Sequence, residues 1–340
     1  MSSLSSPWRN TRVIVTGGLG FIGSNLAARC VELGATVTIY DCLAARSGAN
    51  PANVAGVEHD LELVVGDIRS YDDVAKAMRG QDVCFHCAAH TSHVHSLADP
   101  FMDADVNARG ALNVFEAARR VNPDVKIVHL ATSTQVGPMR AHPIDESHAE
   151  FPLDIYSANK CISEKYALIY AAAHKLRATV VRLANVYGPR ANVQSPHGGF
   201  VNYFVGLGLQ NLPIAVYGHG GQSRNLVYVD DCVNALLASA TTAGTDGQVY
   251  FAVSDRHVTI AEIAAAVERH IGGHVTHVDW PHGRQAIEVG DAVISPARIA
   301  AALHWSAQVD LDEGLQRTRA YFQPRLVKYL QREALAPVLR

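Results

Sequence analysis

The chain has 340 residues, of which 48% are hydrophobic and 18% are charged, and its formal net charge is −3. This composition is typical of a globular protein with room for one large α/β domain or for two lobes around a cleft. It argues against a nucleic-acid-binding surface, which needs a concentrated basic patch, and no apolar run approaches the roughly 18 residues of a membrane span. Since no signal-peptide-like core opens the chain and six scattered cysteines suit a reducing compartment, we expect a cytoplasmic protein.

The first predicted element is a buried strand in "TRVIVTGG", followed by a glycine turn and a helix from about Asn25 to Leu33. Glycines in "GGLGFIGSNL" fit both G-x-G-x-x-G and G-x-x-G-x-x-G. Strand, turn and helix therefore occur in the order of a dinucleotide-binding motif, in which bare backbone approaches a pyrophosphate at a helix N-terminus. The pattern predicts a dinucleotide cofactor.

A second strand, "TVTIYD", ends at Asp41, which lies 18 residues after Gly23. A carboxylate at this place accepts hydrogen bonds from the adenosine ribose hydroxyls and repels a 2′-phosphate. The predicted cofactor is therefore NAD rather than NADP, although Arg46 follows closely enough to keep NADP as an alternative.

Strands and helices then alternate in units of roughly 20–30 residues. The strands are "LELVVGD", "DVCFHCAA", "VKIVHLATS" and "ATVVRLAN"; the helices are "DDVAKAMRG", "NARGALNVFEAARR" and "SANKCISEKYALIYAAAHK". We predict an α/β fold with a Rossmann-type, doubly wound parallel sheet. Ligands bind at the carboxyl ends of such strands, so one crevice should be lined by residues at those ends, namely Asp67, Ala88, Ser133 and Asn185.

The segment "DVCFHCAAHTSHVHS" carries a C-x-x-C pair and four histidines. Cys84 and Cys87 lie in a predicted buried strand rather than at a helix start, which argues against a redox pair, and a second zinc-spaced pair is missing. The histidines at 86, 90, 93 and 95 match no metal-binding spacing, so we expect no metal.

Three hydroxyl residues, Thr132, Ser133 and Thr134, end the fifth strand, and Gln135 follows them. Tyr156 and Lys160 come later, four residues apart on one face of a predicted helix. An ammonium group near a phenol lowers the tyrosine pKa, so Tyr156 is expected to act as a general base near neutral pH.

After about residue 186 the chain becomes rich in Gly, Pro, Asn and Gln, with short predicted helices at "TIAEIAAAVERHI" and "DEGLQRTRAYF" and a small strand at "THVDW". The segment "NLVYVDDCVNALLASA" is predicted to return to the main sheet. We therefore predict an NAD-binding Rossmann domain at 1–185 with a return segment at about 226–250. A smaller, discontinuous substrate-binding lobe would comprise 186–225 and 251–340.

The chain resembles the extended short-chain dehydrogenase/reductase family, and within it the NAD-dependent nucleotide-sugar epimerases and dehydratases. The resemblance spans nearly the whole chain and depends on Asp41, Ser133 and a series of motifs: "TGGLGFIGSNL", "GDI", "CAAH", "DVNARGALNVFEAAR", "YSANK", "RLANVYGPR", "RNLVYVDD" and "GLQRT".

The resemblance implies a role for each matched residue. The NAD pyrophosphate would be held by Gly17, Gly20, Phe21, Ile22 and Gly23, the adenosine by Asp41, Asp67 and Ile68, and the middle of the cofactor by Ala88, Ala89 and His90. The catalytic residues would be Ser133, Tyr156 and Lys160, with Lys160 also on the nicotinamide ribose. The remaining substrate-binding positions would be Thr134 and Gln135, together with Asn185, Arg224 and Arg284, which would hold the nucleotide diphosphate.

The implied chemistry oxidises a sugar to a 4-keto intermediate. Dehydratases resembling this family carry an Asp-Glu pair directly after the catalytic hydroxyl, and decarboxylases tend to carry Glu where Gln135 stands. Because Thr134 and Gln135 cannot exchange protons near pH 7, elimination lacks its acid and base. We therefore predict a nucleotide-sugar epimerase, most simply at C4 of a UDP-linked hexose or uronic acid.

Alternatives remain a dehydratase or decarboxylase that uses an acid from elsewhere, and an NAD-sensing regulatory protein, which would need no Tyr/Lys pair. The family usually continues with Val-Tyr-Gly after the hydroxyl segment, whereas this chain has Val136-Gly137-Pro138, which should alter the loop beside the sugar. By resemblance, helices at 107–120 and 157–174 would form a homodimer interface. The expected partner is a nucleotide-sugar substrate, with no nucleic acid and no membrane.

Overall fold

A computed structural model of the protein describes residues 7–44, 48–196, 199–281 and 288–330. Its main sheet has seven strands, all parallel, in the order β10-β6-β5-β4-β1-β2-β3. The sequence-based prediction of a doubly wound α/β fold is confirmed. These strands are β1 (Arg12–Thr16), β2 (Thr36–Asp41), β3 (Leu61–Val65), β4 (Val83–His86), β5 (Lys126–Thr132), β6 (Arg177–Leu183) and β10 (Val249–Ala252).

Helices cover both faces of this sheet, as βαβ connections require. Their bounds are α1 (Phe21–Glu32), α2 (Tyr71–Met78), α3 (His93–Ala98), α4 (Pro100–Asp103), α5 (Ala111–Val121), α6 (Ile155–His174), α7 (Phe200–Leu209), α8 (Val229–Thr241), α9 (Ile260–His270), α10 (Ala297–Leu303), α11 (Leu311–Phe322) and α12 (Val327–Leu330). None of the helices in the described ranges is long and apolar enough to cross a membrane.

The two faces of the sheet have separate apolar cores. On one face Leu26 of α1 and Leu236 of α8 pack with the side chains of β1 and β2. On the other face Val114 and Phe115 of α5 and Ala167 of α6 pack on β4 and β5. The central strands are buried on both faces, and this is why they read as continuous apolar runs rather than alternating patterns.

The helix predicted at 107–120 starts earlier than expected. A π-helical segment, Ala104–Gly110, leads into α5 without a break. Gly110 lies where this segment passes Ile68, and a Cβ there would come within 2.7 Å of that side chain. Close helix packing at this point thus explains a glycine inside the helical pattern.

The C-terminal part forms two small sheets, β11-β9-β7 and β12-β8, beside the carboxyl end of the main sheet. The strands are β7 (Asn185–Tyr187), β8 (Pro213–Tyr217), β9 (Ser223–Tyr228), β11 (His257–Thr259) and β12 (His274–Val278). The predicted return of "NLVYV" to the main sheet is therefore wrong for the strand, because β9 pairs with β7 and β11. The main sheet is instead rejoined by α8, which packs against it, and by β10, which pairs with β6.

The segment after β5 departs from the family pattern at Gly137, and the structure supplies a reason. Gly137 has φ +62°, and a Cβ there would lie 1.8 Å from the carbonyl oxygen of Phe151. The Phe151 amide donates to the Val136 carbonyl oxygen at 3.2 Å, so the returning chain occupies the place of a side chain. Ile144, packed with Phe251 and Ile294, anchors the middle of this loop.

We expect Gly137→Ala to lower the free energy of unfolding by about 1–3 kcal/mol, because it adds a clash at a left-handed backbone position. Chemical denaturation measures the change. Gly221→Ala is the matched control, since a Cβ at Gly221 meets nothing within 4 Å, and it should stay within about 0.5 kcal/mol of the parent protein. Equal stability of the two variants would contradict this account of the loop.

Candidate active site

The glycine turn between β1 and α1 brings bare backbone to the carboxyl edge of the sheet. A Cβ at Gly17, which has φ +67°, would lie 2.8 Å from the backbone of Ala88. A Cβ at Gly23 would lie 2.4 Å from the Gly17 carbonyl oxygen. Helix α1 begins at Phe21 with Gly20 as its N-cap and without a side-chain cap, so its first N–H groups are available to an anion.

Asp41, at the end of β2, lies beside this turn as predicted. One of its carboxylate oxygens accepts from the Leu19 amide at 3.1 Å, and the other accepts from the Leu43 amide at 2.9 Å. The Leu19 carbonyl oxygen in turn accepts from the Asn53 side-chain amide at 2.9 Å. The turn is therefore held through both the N–H and the C=O of Leu19, with the carboxylate at its edge.

This architecture fits NAD. Pyrophosphate needs backbone without side chains at a helix N-terminus, which residues 17–23 provide, and the adenosine ribose needs a carboxylate at the end of β2. Arg46, the residue that kept NADP as an alternative, lies outside the described residues.

The other predicted cofactor residues lie at the ends of β3 and β4. Asp67 accepts from the Arg69 guanidinium at 2.6 Å, which lowers the pKa of Asp67, and Ile68 is buried next to Gly110. The Ala88 amide donates to the Thr16 hydroxyl at 3.2 Å, and the His90 amide donates to Asn107 Oδ1 at 3.0 Å. Ala89 lies between them, half-buried, and Ala88 borders the glycine turn at Gly17.

Ser133, Tyr156 and Lys160 converge where β5 meets α6. The residue after Ser133 contacts the first turn of α6, where Thr134 Oγ1 lies 3.0 Å from Ser157 Oγ. Lys160 Nζ donates to the carbonyl oxygen of Leu130 at 2.5 Å. Within the described ranges Ser133 Oγ makes no hydrogen bond, which leaves this hydroxyl available to a substrate oxygen.

Burial raises the pKa of Tyr156 above its ordinary value, and the carboxylates of Asp103 and Asp154 add to that effect. The expectation that Lys160 lowers the tyrosine pKa is therefore wrong for this conformation, in which the lysine is turned to Leu130. Burial also lowers the pKa of Lys160 to about 8. Both groups are thus shifted toward their neutral forms, because both side chains are buried.

Thr134 and Gln135 differ from their predicted role as substrate ligands. Thr134 is occupied by Thr132 and Ser157. Gln135 is fully buried, and its Nε2 donates to Glu164 at 2.7 Å and to Glu150 at 3.3 Å. Both side chains thus hold the turn Ser133–Val136 in place through protein partners.

The partners of Gln135 form a buried ionic network that the sequence did not indicate. Arg182 of β6 pairs with Glu164 at 2.7 Å and also with Glu150. Glu164 lies one turn after Lys160 on α6, and its pKa is lowered, because the Arg182 pairing outweighs its burial. The arginine in the strand "VVRL" is the feature from which this network could have been predicted, since a buried arginine requires a carboxylate partner.

The positions expected to bind the nucleotide diphosphate have different surroundings. Asn185 starts β7, and its side-chain amide donates to the Asn225 carbonyl oxygen at 3.2 Å. Arg224 of β9 is buried, donates to the Gly290 carbonyl oxygen at 2.7 Å and pairs with Glu288. In this conformation Arg224 is thus neutralised by the protein, which differs from its predicted contact with a diphosphate. Arg284 lies outside the described residues.

Three histidines of the "HCAAHTSHVHS" segment have separate partners. His86 Nδ1 lies 2.8 Å from the Thr16 hydroxyl, His90 Nδ1 lies 3.0 Å from Asp103, and His93 Nδ1 lies 2.7 Å from Asp154. No group of three or more possible metal ligands occurs in the part of the chain that the structure describes. Sequence reasoning missed both carboxylates, although Asp154, the N-cap of α6, could have been found as a capping residue.

The C-x-x-C pair lies as predicted, in and just after β4. Cys84 is fully buried, and burial raises its thiol pKa to about 12. Burial raises the pKa of Cys87 too. Neither thiol is thus a ready nucleophile, since redox and metal chemistry both need the thiolate.

Comparisons with known proteins agree with this geometry. A family model described as the NAD dependent epimerase/dehydratase family matches residues 13–252. The UDP-glucose 4-epimerase of Mycolicibacterium smegmatis is 32% identical over 320 residues, which cover 92% of this chain and 98% of that protein. A putative UDP-glucose 4-epimerase of Methanocaldococcus jannaschii is 29% identical over 311 residues, 90% of this chain and 96% of its own length.

Other members of the same group carry out different reactions. A Bacillus cytotoxicus UDP-N-acetyl-alpha-D-glucosaminuronate decarboxylase is 27% identical, over 92% of this chain and 98% of that protein. Among solved structures, the UDP-glucose 4-epimerase of Thermus thermophilus in complex with NAD has a TM-score of 0.82 at 28% identity. The match covers 93% of this chain and 100% of that chain.

We expect Asp41→Ala to reduce the preference for NAD over NADP. The variant loses the ribose acceptor and the repulsion of a 2′-phosphate, each of which is an effect of about ten- to a hundredfold in Kd. Titration calorimetry with both cofactors measures the ratio of the two Kd values. Because Asp41 also holds Leu19, affinity for both cofactors is expected to fall, whereas the ratio isolates the role of the charge. An unchanged ratio would show that Asp41 does not select the cofactor.

Proposed function

We propose that this chain, which belongs to the NAD-dependent epimerase/dehydratase family, is a nucleotide-sugar 4-epimerase. The protein is a member of a group of NAD-dependent nucleotide-sugar epimerases, dehydratases and decarboxylases, and its cofactor is NAD. The finer assignment is to C4 of a UDP-linked hexose or uronic acid, and it is supported by the two relatives named as UDP-glucose 4-epimerases.

The choice of epimerisation over elimination depends on one observation, the buried amide of Gln135. The turn after β5 contains Gln135, fully buried and bonded to Glu164, where an elimination would need a group that gives and takes protons. An epimerisation needs no such group, because the proton leaving the sugar hydroxyl and the proton returning to it use the same base. The geometry therefore favours the reaction that leaves the substrate's composition unchanged.

Tyr156, Ser133 and Lys160 have different roles in this reaction. When bound, NAD supplies the reversible oxidation of the sugar carbon to a ketone and its reduction. Tyr156 takes the proton of the 4-hydroxyl and later returns it, while Ser133 donates a hydrogen bond to the same sugar oxygen. Lys160 lies one helical turn from Tyr156, so its ammonium is available to a cofactor ribose and, once it turns from Leu130, to the phenolate.

The second candidate is dehydration or decarboxylation with an acid from elsewhere. The observation that favours it is the pair of His93 and Asp154 next to Tyr156, which could transfer protons. A regulatory NAD-sensing role is less well supported, because it would give no reason for burying a tyrosine and a lysine at the carboxyl end of β5.

We expect UDP-glucose, UDP-galactose, UDP-glucuronate or UDP-galacturonate to be converted to its C4 epimer without a change in mass. Mass spectrometry and proton NMR of the products measure this. Tyr156→Phe keeps the ring that packs on His93 but removes the proton acceptor. It should lower kcat by at least about a hundredfold while NAD stays bound.

A loss of 18 mass units in the product would instead show dehydration, and a loss of 44 would show decarboxylation. Full activity of Tyr156→Phe would refute the assignment of the base. Of the two helices expected to form a dimer interface, α6 keeps Ile162 and Ile169 exposed, and the homodimer itself stays a prediction.

A further inference from the structure

One histidine of the "HTSHVHS" segment lies against the catalytic tyrosine. His93, the first residue of α3, has its ring centroid 5.0 Å from that of Tyr156 at an interplanar angle of 84°, an edge-to-face contact. Its side chain is 39% exposed, whereas Tyr156 is buried. His93 therefore lies between the tyrosine and the open side of the crevice.

Asp154 fixes how this imidazole is oriented. The two carboxylate oxygens of Asp154 are both used, one by the Ser157 amide at 2.7 Å and the other by His93 Nδ1 at 2.7 Å. Burial alone would raise the pKa of Asp154, but the contacts with His93 and Ser157 outweigh it and hold that pKa below its usual value. Since a carboxylate accepts, Nδ1 carries the proton, and this hydrogen-bond network thereby assigns the tautomer.

The other ring nitrogen is directed elsewhere. Nε2 lies on the far edge of the imidazole from Nδ1, and within residues 7–44, 48–196, 199–281 and 288–330 it makes no hydrogen bond. A sugar whose hydroxyl rests on Tyr156 has substituents on the neighbouring carbons about 3–5 Å away, within reach of a ring packed on that tyrosine. Asp154 thus prepares a polar atom at the edge of the sugar site.

We propose that His93, oriented by Asp154, is a substrate-contacting residue whose Nε2 hydrogen-bonds an oxygen on the sugar next to the carbon on which Tyr156 acts. This deepens the proposed function and rests on it only in taking a nucleotide sugar as the ligand. With its proton on Nδ1, the ring accepts at Nε2, so the recognised group is a sugar hydroxyl that donates one hydrogen bond, such as the hydroxymethyl group at C6. His93 is thus a determinant of sugar specificity.

Two amide substitutions separate this role from a purely structural one. Asparagine at 93 places its amide near the position of Nδ1, so His93→Asn keeps a donor to Asp154 but has no atom at Nε2. Glutamine reaches the position of Nε2, so His93→Gln keeps a polar atom toward the sugar but loses the bond to Asp154. Neither amide transfers protons near neutral pH.

The experiment compares Kd values for UDP, UDP-glucose and UDP-glucuronate by titration calorimetry on the NAD-loaded protein, together with the melting temperature of each variant. For His93→Asn we expect an unchanged melting temperature, unchanged UDP binding and about tenfold weaker binding of the nucleotide sugar, the loss of one hydrogen bond. For His93→Gln we expect a lower melting temperature with sugar binding within about threefold of the parent protein. A larger loss for UDP-glucose than for UDP-glucuronate in His93→Asn identifies the C6 hydroxymethyl as the group, and equal losses identify a ring hydroxyl, since a carboxylate has no hydrogen to donate to Nε2.

His174→Asn is the matched control, because it makes the same change at an exposed position at the far end of α6 and should alter neither readout. The proposal is overturned if His93→Asn binds both nucleotide sugars as the parent protein does, or if neither sugar adds affinity over UDP. It is also overturned if both variants bind sugars normally but lose turnover equally, which would make His93 an acid–base group. Absence of a C4 epimer with an intact effect on sugar affinity would refute the proposed function alone.

Discussion

The site depends on the burial of one polar stripe of α6 against the carboxyl end of β5. Tyr156, Lys160 and Glu164 recur every four residues, so they lie along one helix face. In the interior the two charged groups need partners: Lys160 donates to the Leu130 carbonyl oxygen, and Glu164 pairs with Arg182. Because Gln135 is tied to the same Glu164, this network fixes the turn that carries Ser133.

The buried network around Glu164 explains why Gln135, which the sequence suggests as a substrate ligand, has a structural role. The sequence places Gln135 two positions after Ser133, where the family resemblance implies an acid in dehydratases or decarboxylases. In the structure the amide is a neutral partner for a buried carboxylate that already has a guanidinium. A glutamate at 135 would add a third carboxylate beside Glu164 and Glu150, where like charges are costly. The same buried network thus accounts for the missing acid and favours epimerisation.

Much of the fold and part of the site could be predicted from sequence, because their signals are local. The glycine turn, Asp41 and the Tyr156/Lys160 pair each follow from short spacings within one strand or helix. What failed depends on pairing across long separations. The sheet that β9 joins, the Arg224–Glu288 pair and the His93–Asp154 contact, 61 residues apart, are set by tertiary packing, and no periodicity reports them.

The central claim is that the hydrogen removed from C4 returns to C4. A UDP-sugar labelled with deuterium at C4, turned over in ordinary water and followed by NMR, tests this most directly. The account predicts that the C4 epimer retains the deuterium at C4 in nearly full amount. Deuterium found at C6, or exchanged for solvent hydrogen, would contradict it, because either outcome requires a proton-transfer step that the turn at Ser133–Val136 is not equipped to perform.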